Sequence, residues 1–113
     1  MDKNLDDLIL KYEKEYPGVA PLLIACEKGR FDHVKLFVTY AKSISVNKFY
    51  KHHNCELTLL MLATMNEHFQ VVKYLIEQGE ADPNIADSDG WNALHCAAYN
   101  NRTTTEFIQL LLT

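Results

Sequence analysis

Long apolar runs are missing from this chain, and none approaches the roughly 20 residues that a membrane span needs. The opening stretch MDKNLDDLIL is acidic, unlike the basic start and apolar run of a secretory leader. A protein kept inside a cell is therefore expected, in the cytoplasm or alternatively in the nucleus. Basic excess is lacking too. Eleven Lys and Arg against fifteen Asp and Glu give a net charge of -4, which argues against a dedicated nucleic-acid binder. Glycine is sparse: Gly18, Gly29, Gly79 and Gly90 each fit a turn or helix end, leaving no glycine-rich phosphate loop. The three cysteines, Cys26, Cys55 and Cys96, are odd in number and hold no C-x-x-C pair. That pattern suits reduced thiols better than a disulfide framework, and it does not support a zinc cage.

What is there is a repeat. GVAPLLIACEKGRFDHVKLFV from Gly18, ELTLLMLATMNEHFQVVKYLI from Glu56 and GWNALHCAAYNNRTTTEFIQLLL from Gly90 share one order of small, apolar and polar positions. Leu22, Leu60 and Leu94 correspond, as do Ala25, Ala63 and Ala97, with steps of 38 and then 34 residues. The extra length of the first interval lies around residues 41 to 55. Val71-Val72 with Leu75-Ile76, and Phe107-Ile108 with Leu111-Leu112, give the stripe of a helix buried on one side. Each unit thus holds two short helices, and the chain of 113 residues fits one domain whose core needs no disulfide or metal.

Local signals place the helix ends. Thr58 and Asn92 are good N-caps, and Ala20 is a poor one but precedes Pro21, which suits a first helical position. Gly29 can end its helix in a left-handed conformation and Asn101 can substitute, whereas Glu67 at the same place predicts a different turn or strain. Two antiparallel helices cannot bury an apolar face alone, so stacking must supply the core. Ala25, Ala63, Ala97 and Ala98 would let neighbouring first helices approach closely. Residues 4 to 14 put Leu5, Leu8, Ile9 and Tyr12 on one face, as an N-terminal helix covering the first unit would.

The residues now resemble a known family, the ankyrin repeat, with its unit of about 33 residues and its T-P-L-H-x-A signature. DSDGWNALHCAA is similar to the family's D-x-x-G-x-T-P-L-H-x-A-A, and VVKYLIEQGEADPN to its V-V-x-x-L-L-x-x-G-A-D-x-N, with Glu80 as one extra residue. GVAPLLIAC, KG and HVKLF carry the likeness in the first unit. The resemblance implies an all-α repeat fold, an ankyrin-type solenoid of about three helix-turn-helix repeats with an N-terminal capping helix. Residues 1-15 would form the cap and 16-113 the repeat domain, with repeats at approximately 16-53, 54-86 and 87-113. Leu23 and Met61 replace the signature histidine, so only His95 can make the polar network the family builds there. The third unit also carries two extra residues in NNRTTTEF, which predicts a longer turn between its helices. A tetratricopeptide array has a similar period, but its tryptophan and L-G signature is missing.

Two stretches could carry chemistry. His95 and Cys96 are adjacent on one helix and point about 100° apart, so the histidine cannot readily activate the thiol. Cys96 shares the register of the apolar Ile24 and Leu62, which predicts a buried, protonated and inert thiol. Asp87 and Asp89 read as turn residues around Gly90 rather than paired acid-base carboxylates. In KFYKHHNCE, His52, His53 and Cys55 have donor atoms that metals take, yet no fourth ligand stands at a recognisable spacing. That stretch is expected to be an elongated, solvated finger. Lys42, Lys48 and Lys51 with Phe49 and Tyr50 could add a small basic and aromatic patch for an acidic partner or nucleic acid. No catalytic constellation, cofactor site or metal site is expected.

Function then rests on the solenoid, whose fingers and first helices form an extended concave binding surface. The resemblance implies a noncatalytic protein-interaction module that uses the positions flanking the finger glycine and following the A-A pair. In this chain these are Ser88, Asp89 and Trp91 in the last finger, then Glu27 and Lys28, Met65 and Asn66, and Tyr99 and Asn100 on the helices. Trp91 and Tyr99 carry most weight, because a few aromatic anchors dominate interface energy; the competing reading has Trp91 pack on its own finger. The chain stops at FIQLLLT without a polar outer cap, so self-association or further repeats are expected on that face. The alternative function is a targeting or regulatory fragment of a larger enzyme, channel or effector.

Overall fold

The computed structural model describes residues 3-40, 45-52, 55-99 and 105-112. Its elements run α1 (Lys3–Glu15), α2 (Pro21–Lys28), α3 (Phe31–Tyr40), β1 (Tyr50–His52), β2 (Cys55–Leu57), α4 (Leu59–Met65), α5 (Phe69–Glu77), α6 (Ala93–Tyr99) and α7 (Thr105–Leu112). Helices pair as α2 with α3, α4 with α5 and α6 with α7, while α2, α4 and α6 pack in a row. The chain is therefore an all-α solenoid of three helix pairs, with one short hairpin among the described residues.

The small residues explain the row. Ala25, Ala63 and Ala97 are 0% exposed, each on a first helix packed against the next, whereas Ala98, expected to do the same, is exposed on α6. Around them Leu22, Leu60, Met61, Leu62, Val72 and Leu75 fill a continuous core. Leu94, the last equivalent of Leu22 and Leu60, is only half-buried, because α6 has one neighbour in the row. On α1 the buried Tyr12 is joined by Leu5, Leu8 and Ile9, packed against α2 and α3. Tyr12 Oη shares a hydrogen bond of 2.7 Å with His33 Nδ1 and sets its ring edge-on to Phe37. Burial pushes the Tyr12 phenol up, and desolvation together with Arg30 lowers the His33 imidazole.

Helix ends follow local chemistry. Thr58 Oγ1 accepts from the Met61 N–H at 3.1 Å, starting α4, whereas α2 starts at Pro21 with no side-chain cap from Ala20. Gly29 ends α2 at φ 70°. Glu67 adopts the same left-handed conformation, φ 62°, so the strain expected there is present, at roughly 1-2 kcal/mol for a non-glycine residue. Glu80, the extra residue of the following loop, is a second such position at φ 58°. Asn101 and the inter-helix turn of the third unit lie outside the described residues.

The finger expected in KFYKHHNCE, residues 48 to 56, includes an antiparallel hairpin, with Tyr50 opposite Leu57, Lys51 opposite Glu56 and His52 opposite Cys55. Tyr50 and Leu57 pack towards the core, and Lys51 and Glu56 form an opposite-charge cross-strand pair. The segment is tied to the next repeat by Asn47, whose Nδ2 donates to the Glu80 carbonyl at 3.1 Å while its Oδ1 accepts from the Asp82 N–H at 2.7 Å.

Candidate functional site

The last finger is built on Asp87. Its Oδ1 accepts from the N–H groups of Asp89 and Trp91, both at 2.9 Å, and the backbones of Asp87 and Trp91 bond at 2.9 Å. Gly90, at φ 80°, closes the turn with its N–H on the Asp87 carbonyl. This wiring leaves Ser88 and Asp89 exposed at the tip and delivers Trp91 to the start of α6.

There Asn92 Oδ1 accepts from the His95 N–H at 3.1 Å, and His95 Nδ1 accepts from the Asn92 N–H at 3.1 Å. Two otherwise orphaned N–H groups are satisfied reciprocally, with the side chains of a capping box in altered form. The pairing requires Nδ1 as acceptor, which puts the imidazole proton on Nε2. His95 is thus the structural histidine that the resemblance implied. The Trp91 indole stacks on it, ring centroids 5.2 Å apart and planes 24° apart, and its Nε1–H donates to Cys96 Sγ at 3.0 Å. Burial pushes the Cys96 thiol up and the nearby Asp87 adds to this, outweighing the indole donor. Cys96 is buried and its contact is Trp91, so no activated nucleophile forms at this pair.

Trp91 keeps 37% of its surface exposed and Tyr99 82%. Their rings meet at 6.2 Å and 69°, an edge-to-face pair on the outside of α6. Met65, 47% exposed, occupies the position on α4 that Tyr99 occupies on α6, and half-buried Glu27 occupies it on α2. Because α2, α4 and α6 lie side by side, the three form a row across one face. Lys28 and Asn66 are exposed beside it, and Asn66 Nδ2 donates to the Leu62 carbonyl at the end of α4. Asn100 lies outside the described residues. The aromatic pair, Ser88 and Asp89 are gathered at one end, with Met65 and Asn66 on the next helix and Glu27 and Lys28 on the one beyond.

The basic patch is less of a surface than the sequence suggested. Lys48 Nζ sits 4.8 Å over the Tyr50 ring, but the Tyr50 phenol is pushed up by burial and donates to the Ser45 carbonyl. Phe49 packs on the core, and Lys42 lies outside the described residues. Cys55 is exposed and His53 is outside the description; among the described residues no three His, Cys, Asp or Glu side chains are placed to hold a metal ion. Among them, too, no helix is long and apolar enough to cross a membrane.

Three features escaped sequence reasoning. His68 Nε2–H donates to the Glu27 carbonyl at 2.8 Å, laying its ring against Gly29 of the preceding unit. Asn47 joins neighbouring fingers, and a shallow depression lined by Arg30, Phe31, Asp32, His33 and Gln70 opens beside Tyr12. Each depends on residues brought together across units, which no local pattern in the sequence marks.

Set against known proteins, residues 22–113 match the family model described as ankyrin repeats (3 copies). Over 94 residues the chain is 34% identical to Ankyrin repeat and SAM domain-containing protein 6 of Rattus norvegicus, covering 83% of this chain and 10% of that protein. It is 36% identical over 89 residues to Alpha-latrocrustotoxin-Lt1a of Latrodectus tredecimguttatus, covering 79% of this chain and 6% of the toxin. The chain thus spans a tenth or less of the length of these relatives.

Proposed function

The chain belongs to the ankyrin repeat family, and from that premise we propose that it binds a protein partner through the concave face formed by α2, α4, α6 and the last finger. Ankyrin repeats are in general noncatalytic protein-interaction modules. In this reading Trp91, Tyr99 and Met65 supply the apolar contacts and Glu27, Lys28, Asn66, Ser88 and Asp89 the polar ones, with Asn100 retained from the sequence alone as a further polar contact. The carrying observation is the contact of the partly exposed Trp91 with the exposed Tyr99, which stands in the row that Met65 continues. Large aromatics left in water at a recurring surface position are what an interface anchor requires. Cytoplasmic residence and a capping role for residues 1-15 belong to the same reading.

Trp91 also holds its own finger through His95 and Cys96, so its removal conflates packing with binding. Tyr99→Ala separates them, because that side chain is almost wholly in solvent. With a partner recovered by affinity capture from the source cell, Tyr99→Ala and Met65→Ala should each weaken binding, the stronger by about 30-fold or more for an anchor residue. Unchanged affinity in both would remove the concave face from the reading.

A second reading makes these repeats the targeting or regulatory part of a larger enzyme, channel or effector. It is supported by the small share of each relative that the chain spans. The half-exposed apolar side of α7, where Leu112 is 66% exposed, suits further repeats or a second copy. The size of the endogenous protein on an immunoblot distinguishes the readings.

A further inference from the structure

The net charge of the chain is unevenly distributed. Through residue 73 there are ten basic and nine acidic side chains; after it there are one basic and six acidic. From residue 74 to Tyr99 no Lys or Arg occurs, while Glu77, Glu80, Asp82, Asp87 and Asp89 do. Glu77 pairs with Lys73 at 3.5 Å, so the acidic side chains that lead up to Trp91 are Glu80, Asp82, Asp87 and Asp89, on the loop between α5 and α6. Field of one sign at an exposed aromatic pair selects the charge of what docks there.

The ring geometry narrows this further. One face of the Trp91 indole is covered by His95, its N–H is spent on Cys96, and Tyr99 meets it edge-to-face. Trp91 nevertheless keeps 37% of its surface in water, beside a phenol ring that is mostly solvent-exposed. Asp89 is exposed two residues earlier, at the tip of the same turn. Two partly exposed rings in edge-to-face contact, in a stretch of chain with acidic and no basic side chains, suit a cation that can stack as well as pair, and a planar guanidinium does both where an ammonium does only one.

Resting on the concave-face reading above, we propose that the Trp91 and Tyr99 pair receives an arginine side chain from a basic segment of the protein partner, with Asp89 as its counter-charge. Trp91 is the only tryptophan of the chain, so its indole N–H gives a single resonance in a nitrogen-15 correlation spectrum. The probes are acetyl-Gly-Arg-Gly-Arg-amide and the same peptide with citrulline, which keeps the shape and loses the charge. The arginine peptide should move the Trp91 resonance saturably and bind at least about tenfold tighter than the citrulline peptide. Tyr99→Ala and Asp89→Asn should each weaken it about three- to tenfold, and added salt should weaken it further. Equal binding of the two peptides, or no movement with either, overturns the proposal. If the arginine peptide fails while Tyr99→Ala still abolishes capture of a partner, the cation is wrong and the concave face stands. If the peptide binds with arginine selectivity while capture is indifferent to Tyr99, the subsite stands and the concave face is not where that partner docks.

Discussion

Replacing Gly29 by alanine tests how one repeat is fitted to the next. Two independent costs meet at this position. At φ 70° any L side chain pays roughly 1-2 kcal/mol for the left-handed conformation. A Cβ there would also overlap the His68 imidazole, reaching within 2.7 Å of Cγ and Cε1. The ring cannot withdraw without loosening its 2.8 Å bond to the Glu27 carbonyl, worth about 1 kcal/mol net. Alanine narrows the unfolded ensemble and offsets up to about 1 kcal/mol, leaving a net loss of about 2 kcal/mol. Gly90, at φ 80°, has nothing within 4 Å of such a Cβ, so Gly90→Ala bears the conformational cost alone, about 1 kcal/mol. For a chain of this size these losses correspond to about 8 °C and 4 °C in melting temperature. Urea unfolding followed by far-UV circular dichroism measures both, and a His68→Ala background should bring the Gly29→Ala loss down to the Gly90→Ala value. A Gly29→Ala loss no larger than that of Gly90→Ala would refute the argument that His68 occupies this space.

Three further outcomes follow from buried groups. Thr58 is 4% exposed and satisfies the Met61 N–H, so Thr58→Ala should cost about 1-2 kcal/mol in urea unfolding while Thr58→Ser keeps most of the stability; equal losses would rule out the cap. Cys55 is exposed whereas burial pushes the Cys26 thiol up to about 12 and raises that of Cys96, so a thiol reagent should label Cys55 fast in the native protein and the other two only on unfolding. A thiol raised in the folded state keeps its full contribution below its unfolded value near 9.0 and loses it as pH climbs towards the folded value. Stability should therefore fall between about pH 9 and 12, and Cys26→Ala should flatten that decline; fast native labelling of Cys96 would show that its packing against Trp91 is not maintained.

Periodic features were legible because they repeat within one helix or one turn. The spacing of Ala25, Ala63 and Ala97 predicts the row of first helices, and Thr58, Asn92 and Gly29 act where their side chains or lack of one demand. Glu67 is instructive: the repeat dictates a left-handed residue there, and the backbone complies despite the side chain. The hairpin was hidden since its pairing of Tyr50 with Leu57 spans an insertion that has no counterpart in the other units. At the candidate site, the sequence indicated which positions face outward, but not that Trp91 would divide its surface between His95, Cys96, Tyr99 and solvent. Those contacts depend on side-chain rotamers around a turn, which no periodicity encodes.

The Asn47 bridge turns one backbone amide into a local gauge. The Asp82 N–H is held by a side chain of the preceding repeat and by no helix of its own, at 2.7 Å. Its exchange with deuterated water therefore requires only that neighbouring fingers part, whereas amides inside α4 and α5 require their own helices to open. Comparing the Asp82 amide with that of Val72, which bonds to the His68 carbonyl at 3.0 Å, distinguishes a solenoid that frays at its seams from one that melts as a block. In Asn47→Ala the first rate should rise while the second stays nearly fixed.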